Sequence, residues 1–386
     1  MHSEFDVIVV GAGPAGTVAA MRLARAGVRV RIVDRETFPR HKLCGDTLNP
    51  GCLSLLSQLD SAVAQRVRAR ALKVSGMTVT GPGNVTVHAD YPQGISGASL
   101  MRRDLDQWLL ETAVNAGATF DPGIAVLAPI VSGNPPRVVG VHAGCGRNER
   151  EFRSPVVIAA DGRASRVAAQ LNLSRFCRDS QRWAYGAYFT DVEGLTAHGE
   201  MHVRADGYVG VAPVPGALAN ICVVRARRQL VAGESGERVI ARGISSEPAL
   251  AERFARARRV SAVSVLGPLA VESQVAGCPG LLLAGDAAGF VDPMTGDGLR
   301  FAIAGGDLAA RAALLELESG ASAHAQLHAW RVREFKTKWR INRALRTLVG
   351  SPRALSCAAL AARAWQAPVQ RLVGLAGDVY LARHAG

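Results

Sequence analysis

The apolar run FDVIVV, Phe5 to Val10, is short, continuous and rich in Val and Ile, the pattern of a strand buried on both faces of a parallel sheet. GAGPAG follows and leads into an Ala-rich helical pattern that reaches Ala26, where Gly27 ends it; VRVRIVD then predicts a second strand closing at Asp34. Together these segments predict a βαβ unit. Met101 to Ala118 carries apolar positions at helical spacing with a Gly stop, short alternating segments cover roughly 120–153, and SPVVIAADG predicts another buried strand ending at Asp161. From about 175 to 275 the period changes to two in WAYGAYFTDV, GEMHVRA, GYVGVAPV and LANICVVRA, which predicts an antiparallel sheet interrupted by one helical segment. GLLLAGDAAGFVDPMTGDGLRFAI then repeats a strand, Gly-Asp, loop and helix pattern, and the chain from about 321 reads as helices.

The expected architecture is therefore α/β: a Rossmann-like, nucleotide-binding domain carrying an inserted, mainly antiparallel β domain, with C-terminal helices. The expected boundaries are 1–80, 98–174 and 276–320 for the nucleotide-binding domain, 81–97 and 175–275 for the insert, and 321–386 for the helices. With 386 residues the chain exceeds the usual size of one core, which fits two interleaved domains.

Composition narrows the class. Hydrophobic residues at 48% and charged residues at 20% describe a globular chain. MHSEFDVIVV lacks the basic and long apolar regions of a secretory signal, and charges interrupt every long apolar stretch, so a cytoplasmic location is expected. Seven Cys without a CxxC pair argue against a disulfide framework or a zinc ribbon. The net charge of +13 suits acidic partners, and RVREFKTKWRINRALR (331–346), with Trp339 and Leu345 among its charges, suits an anionic membrane surface or an acyl carrier protein; a merely solvated basic face is the alternative. No nucleic-acid motif accompanies that charge. His198 with His202, and His324 with His328, lack an HExxH pattern or acidic partners, so no metal is expected, and no GxSxG elbow is present.

The chemistry begins with Gly11, Gly13 and Gly16 at GxGxxG spacing between a strand and a helix. The first permits the tight turn, the second lets a pyrophosphate approach the backbone, and the third lets helix and strand pack, with the helix N-terminus facing the anion. Asp34 ends the second strand, where an acidic residue holds the adenosine ribose. Two later segments, VVIAADGRASRV and LLLAGDAAGFVDPMTGDGLRFAI, resemble the Asp-Gly and Gly-Asp motifs of flavoprotein monooxygenases. Over essentially its first 310 residues the chain resembles the FAD-dependent superfamily of aromatic hydroxylases, geranylgeranyl reductases and flavin-dependent halogenases.

That resemblance implies FAD as cofactor, with Gly285 and Asp286 on the ribityl chain and the backbone near Pro293, Gly296, Gly298 and Leu299 facing the flavin pyrimidine. MRRDLDQWLL resembles the superfamily's RxxFDxxL element, which implies that Arg102 contacts FAD; a helix-surface Arg opposite Asp106 is the alternative. FPRHKLCGD resembles the loop that passes beside the flavin in geranylgeranyl reductases and their relatives. It implies that Arg40, Lys42 and Gly45 lie near the cofactor and that Cys44 faces the isoalloxazine or the substrate, a buried packing thiol being the alternative. Ala15 and Arg35 complete the expected cofactor contacts, and Asp161, with Arg163, marks where NADH or NADPH visits as a transient reductant, since no second GxGxxG is present.

Departures from the superfamily set the order of functional expectations. The halogenase Trp-x-Trp-x-Ile-Pro segment is missing from GYVGVAPVPG (207–216), and of the Tyr-x-Trp-x-Phe-Pro element of geranylgeranyl reductases Tyr208 and Pro213 remain, with Gly210 and Ala212 replacing the aromatics. The first expectation is therefore a monooxygenase that hydroxylates an aromatic or polyketide-like molecule through a flavin C4a-hydroperoxide, with Cys44, Tyr208 and His202 as catalytic candidates and Tyr185 with the last two on the substrate face, ordinary sheet packing being the alternative for these three. The alternative is a geranylgeranyl-reductase-like enzyme acting on C=C bonds of a hydrophobic, isoprenoid or carrier-bound substrate. A module that binds FAD without turnover is the third.

Overall fold

The computed structural model describes residues 4–145, 148–177, 181–205 and 207–383. Its first layer is a six-stranded sheet in the order Gly277–Cys278, Leu281–Leu283, Val156–Ala159, Val7–Val10, Val30–Val33, Thr119–Asp121, parallel except for the first strand. The register pairs Val7 with both Val30 and Val156, so the three sequence-predicted strands lie side by side. Every residue of Val7–Val10 is buried, which is why that strand reads as an unbroken apolar run.

Helix Pro14–Arg25 starts with Pro at its first position, where the missing N–H costs nothing, and buries nine residues. It packs against helix Gly298–Ser319 so closely that a Cβ on Gly306 would lie 2.2 Å from the Ala15 carbonyl oxygen. A Cβ on Gly16 would lie 1.9 Å from the Gly11 carbonyl, so Gly16 serves strand–helix packing. The antiparallel strands Ala125–Ser132, Arg137–Cys145 and Asn148–Arg153 form a separate sheet whose Val126, Val138, Val141 and Phe152 bury against the other face of the parallel layer.

The second layer is a larger sheet whose main path runs Arg258–Arg259, Arg182–Thr190, Leu218–Ala226, Gly207–Val214, His198–Arg204, Gly76–Thr80, Thr86–Asp90. All its pairings are antiparallel except His198–Arg204 with Gly76–Thr80. Gly76–Thr80 thus lies in this sheet, although the expected boundary at 80 left it with the nucleotide-binding part. Its alternating pattern cannot tell which sheet a short strand joins. One face of the sheet packs Phe189, Ile221 and Val223 against helix Gly236–Ser245 and its neighbour Pro248–Arg253. The other face looks onto the parallel layer.

Helices His324–Gly350, Pro352–Ala364, Ala367–Ala376 and Val379–Arg383 make up the C-terminal part among the described residues. A buried polar knot ties them down: Lys338 Nζ lies 2.8 Å from Asp297 Oδ1 and 3.1 Å from Asp378 Oδ1, and Asn49 Nδ2 and Lys338 Nζ both donate to the Ala376 carbonyl. Among the described residues, no helix is long and apolar enough to cross a membrane.

Candidate functional site

Where the parallel strands end and the inner face of the large sheet begins, the chain encloses a cavity of about 660 Å³. Ligands of open α/β sheets collect at the carboxyl ends of the strands, and Val10, Val33, Ala160 and Gly285 follow four such strands into the cavity wall. Gly11 takes φ +99°, and a Cβ there would lie 2.5 Å from the Ala160 carbonyl oxygen, so only Gly turns here. Gly13 and Ala15 line the cavity beside it. Asp34 also lines it, and its carboxylate accepts the Ala12 N–H at 2.6 Å and the Glu36 N–H at 2.9 Å, fixing the Gly-rich turn to the end of its strand.

The 38–46 loop brings its charges to the same wall. Phe38 anchors it edge-to-face on Phe120 at 5.7 Å, with the Arg40 guanidinium 5.0 Å over the Phe38 ring. Arg40 Nη2 lies 3.2 Å from Asp106, and Arg102 makes a bidentate pair with the same carboxylate, Nε and Nη2 each at 2.7 Å. The i,i+4 pair, the alternative to a cofactor contact, therefore exists, but it is buried rather than on a helix surface, and Arg102 lines the cavity as well. Burial, followed by Arg102 and Arg40, pulls the Lys42 ammonium below its ordinary value. Burial raises the Asp286 carboxyl against the opposing pull of Lys42, Arg102 and Arg163. Asp286 thus faces a cluster of cations.

Cys44 lines the cavity, and burial pushes its thiol above the usual value, opposed by a hydrogen-bonded Arg102. Its neighbour Asp46 is fully buried at φ +54°, a conformation Asp tolerates better than most residues. Tyr188 Oη and Asn220 Nδ2 donate to Asp46 Oδ2 at 2.6 and 2.5 Å, the Arg102 N–H donates to Oδ1 at 3.1 Å, and Asn220 Nδ2 also reaches the Cys44 carbonyl at 2.8 Å. Burial outweighs those donors and raises the Asp46 carboxyl to about 6. This clamp binds the Cys44 loop to the large sheet and to helix Arg102–Asn115. Sequence reasoning missed Tyr188 and Asn220, for which no local signal exists.

The catalytic candidates separate. Tyr208 lines the cavity, but its hydroxyl donates to Asp292 Oδ1 at 3.0 Å, and Arg182 Nη1 holds the other oxygen at 3.0 Å. His202 does not line it: Met201 and Val203 pack into the clusters on the cavity side, so the alternation of the strand sends His202 to the opposite face. There its Nε2 lies 3.1 Å from Glu200, which Arg253 also holds with two contacts of 2.8 Å. Tyr185 likewise packs on the helix-covered face, beside Gly236.

At the opposite wall, Pro293, Gly296, Gly298 and Leu299 line the cavity at the start of the 22-residue helix Gly298–Ser319, whose free N–H groups and dipole favour negative charge. Arg35, Gly45, Asp161 and Arg163 line it as well. Burial raises the Asp161 carboxyl to about 6, and its Oδ2 accepts the Arg166 N–H at 3.1 Å. Asp161 Oδ1, Arg163 Nε and Nη1 and Arg40 Nε are buried without a hydrogen-bond partner. Unpaired buried donors beside a Gly-lined wall fit an anionic dinucleotide such as FAD, whose pyrophosphate and flavin oxygens accept hydrogen bonds. Among the described residues no group of His, Cys, Asp or Glu could hold a metal ion.

Part of the cavity wall is aliphatic and is called the apolar arm here. Met77, Val79 and Val87 wall it from the sheet, and Leu348, Leu355 and Val373 from the C-terminal helices.

Comparison with known proteins agrees with this geometry. The family model described as an FAD binding domain matches residues 4–331. The menaquinone reductase of Mycobacterium tuberculosis is 32% identical over 328 residues, covering 79% of this chain and 75% of the relative. Digeranylgeranylglycerophospholipid reductase 1 of Methanopyrus kandleri is 30% identical over 353 residues, covering 82% of each chain. Among solved structures, the flavin-dependent brominase Bmp2 superposes with a TM-score of 0.82 at 20% identity, covering 99% of this chain and 98% of that one. A geranylgeranyl bacteriochlorophyll reductase-like protein of Thermoplasma acidophilum superposes with a TM-score of 0.77 at 22% identity, covering 99% and 95%. These structural likenesses carry the fold alone, whereas the family match and the two curated relatives carry membership: the chain belongs to the FAD binding domain family and is an FAD-dependent oxidoreductase.

Proposed function

We propose that this protein reduces carbon–carbon double bonds in an elongated, isoprenoid-like substrate. The observation that carries the reading is the apolar arm, in which aliphatic side chains of the large sheet and of the C-terminal helices line the same cavity as Cys44. A flat phenol needs a compact pocket with polar groups to orient its hydroxyl, whereas an aliphatic arm suits a long hydrocarbon. Two curated relatives are named for reduction of a quinone and of a digeranylgeranyl lipid, which supports the same substrate class.

Aromatic hydroxylation, the first expectation from sequence, loses its polar apparatus: His202 and Tyr185 lie behind the sheet, and the Tyr208 hydroxyl is committed to Asp292. In the reductive reading the Gly-rich turn and the Asp286 wall would hold FAD, which when reduced would supply a hydride to one carbon, and Asp161 and Arg163 would face NADH or NADPH as the reductant. The Cys44 thiol, kept protonated by burial, gives the proton to the second carbon and regains one from solvent. Arg102 steadies the thiol, and the Asp46 clamp fixes the loop that carries it. The aliphatic arm aligns the chain and excludes water.

The test is product mass after anaerobic incubation of the reduced holoprotein with a polyprenyl alcohol or a prenylated quinone. A gain of two hydrogens at each reduced double bond is expected. Untouched double bonds, with oxygen incorporated into aromatic substrates once air is admitted, would overturn the proposal.

A further inference from the structure

The inner faces of the C-terminal helices close the apolar arm through Leu355 and Val373. Their outer side exposes large apolar side chains among basic ones. Leu360, Trp365 and Tyr380 are 65%, 64% and 63% exposed, the three most exposed large hydrophobic side chains among the described residues, and they fall within one short segment. A surface tolerates single exposed apolar residues, but three so exposed within one short stretch of chain point to an interaction site.

The charge around this cluster has one sign. From Phe335 to Gly377 the chain carries eight Lys and Arg residues and no Asp or Glu. Lys338 is buried in its pair with Asp297, while Arg353, Arg363 and Arg371 are exposed and pair with no carboxylate among the described residues. The two acids that bound the segment, Glu334 and Asp378, both pair with Arg300. Trp and Tyr beside aliphatic side chains and unpaired arginines form the composition that settles at a bilayer interface, where the rings enter the headgroup layer and the guanidiniums meet anionic lipid.

We propose that the outer surface of helices Pro352–Ala364, Ala367–Ala376 and Val379–Arg383 docks on an anionic lipid surface. Resting on the substrate reading above, this docking lets an isoprenoid chain dissolved in the bilayer pass into the arm walled by the first two of these helices. An acidic carrier protein would satisfy the arginines but would leave Leu360, Trp365 and Tyr380 without an apolar phase to enter.

The test is co-sedimentation of the FAD-loaded full chain with phosphatidylglycerol–phosphatidylcholine vesicles, beside vesicles of phosphatidylcholine alone. Binding to the anionic vesicles is expected, weakening as salt rises. At about 1 kcal/mol for each surface arginine, the triple variant R353Q/R363Q/R371Q should bind on the order of a hundredfold more weakly. The separate variant L360S, which keeps Trp365 as the reporter, should weaken insertion, read as reduced tryptophan quenching by brominated lipid, with FAD content and melting temperature unchanged. Neither variant alters a cavity residue, so turnover of detergent-dispersed substrate should persist. Absence of binding to anionic vesicles at low salt, equal binding by the triple Gln variant, or binding to an acidic carrier protein with none to vesicles would overturn the proposal. Vesicle binding without any double-bond reduction would uphold the docking surface and sink the substrate reading, so the two failures are distinct.

Discussion

Asp106→Ala tests whether the cationic wall of the cavity is a buried charge network. Asp106 is completely buried and accepts from Arg102 twice at 2.7 Å while lying 3.2 Å from Arg40. Removing the carboxylate leaves two guanidiniums facing each other without their counter-ion. Breaking a buried pair by deleting one partner costs about 3–5 kcal/mol, because the remaining charge stays desolvated. With an m-value of about 2–3 kcal/mol/M for a chain of this size, the urea midpoint of the FAD-stripped protein should fall by roughly 1–2 M. The double variant Arg102→Leu with Asp106→Leu removes both charges, and it should recover at least half of the lost stability. It should still bind FAD poorly, because the cavity has lost the Arg102 guanidinium. A loss below about 1 kcal/mol for Asp106→Ala would refute the burial argument. A double variant that retains FAD like the parent would refute the assignment of Arg102 to the cofactor.

Three further outcomes follow from the same geometry. Cys44→Ser should keep FAD yet lower the reductive rate by about 10²–10⁴-fold, and the parent's rate should hold through neutral pH, falling only above the ordinary thiol range because burial raises the Cys44 value. Ala358→Trp, filling the apolar arm at a half-buried wall position, should raise KM for long prenyl chains on the order of tenfold or more while sparing short ones, read from steady-state kinetics on a chain-length series. Asp46, raised from 3.8 to about 6, holds its proton more tightly when folded, so its contribution is fully present below pH 3.8 and lost as pH rises through about 6; that amounts to about 3 kcal/mol. Asp46→Asn should flatten this part of the melting temperature profile, and an unchanged slope between those pH values would contradict the shift.

The parts of the fold that depend on local pattern were legible in the chain. The Val7–Val10 strand, its Gly-rich turn and the Val30–Val33 strand follow one another with periods and stop signals that need no distant partner. The Asp-Gly and Gly-Asp turns, 125 residues apart when counted from Asp161 to Asp286, were read from resemblance, and the structure brings both to one cavity. What escaped is set by tertiary pairing. A strand shows its two faces equally in sequence, so Tyr208, His202 and Tyr185 looked alike until the sheet turned only Tyr208 inward. The Asp46 clamp depends on Tyr188 and Asn220, more than 140 residues away, and the apolar arm on helices at the far end of the chain. No periodicity encodes such meetings.

The central claim is tested most directly by following the flavin absorbance of the fully reduced holoprotein without oxygen while a polyprenyl substrate is added. The account predicts return of the oxidised flavin spectrum in step with substrate, slowed in Cys44→Ser and abolished for a fully saturated chain of the same length. A flavin that stays reduced with the unsaturated chain, and reoxidises only when oxygen and an aromatic substrate are supplied together, would contradict it.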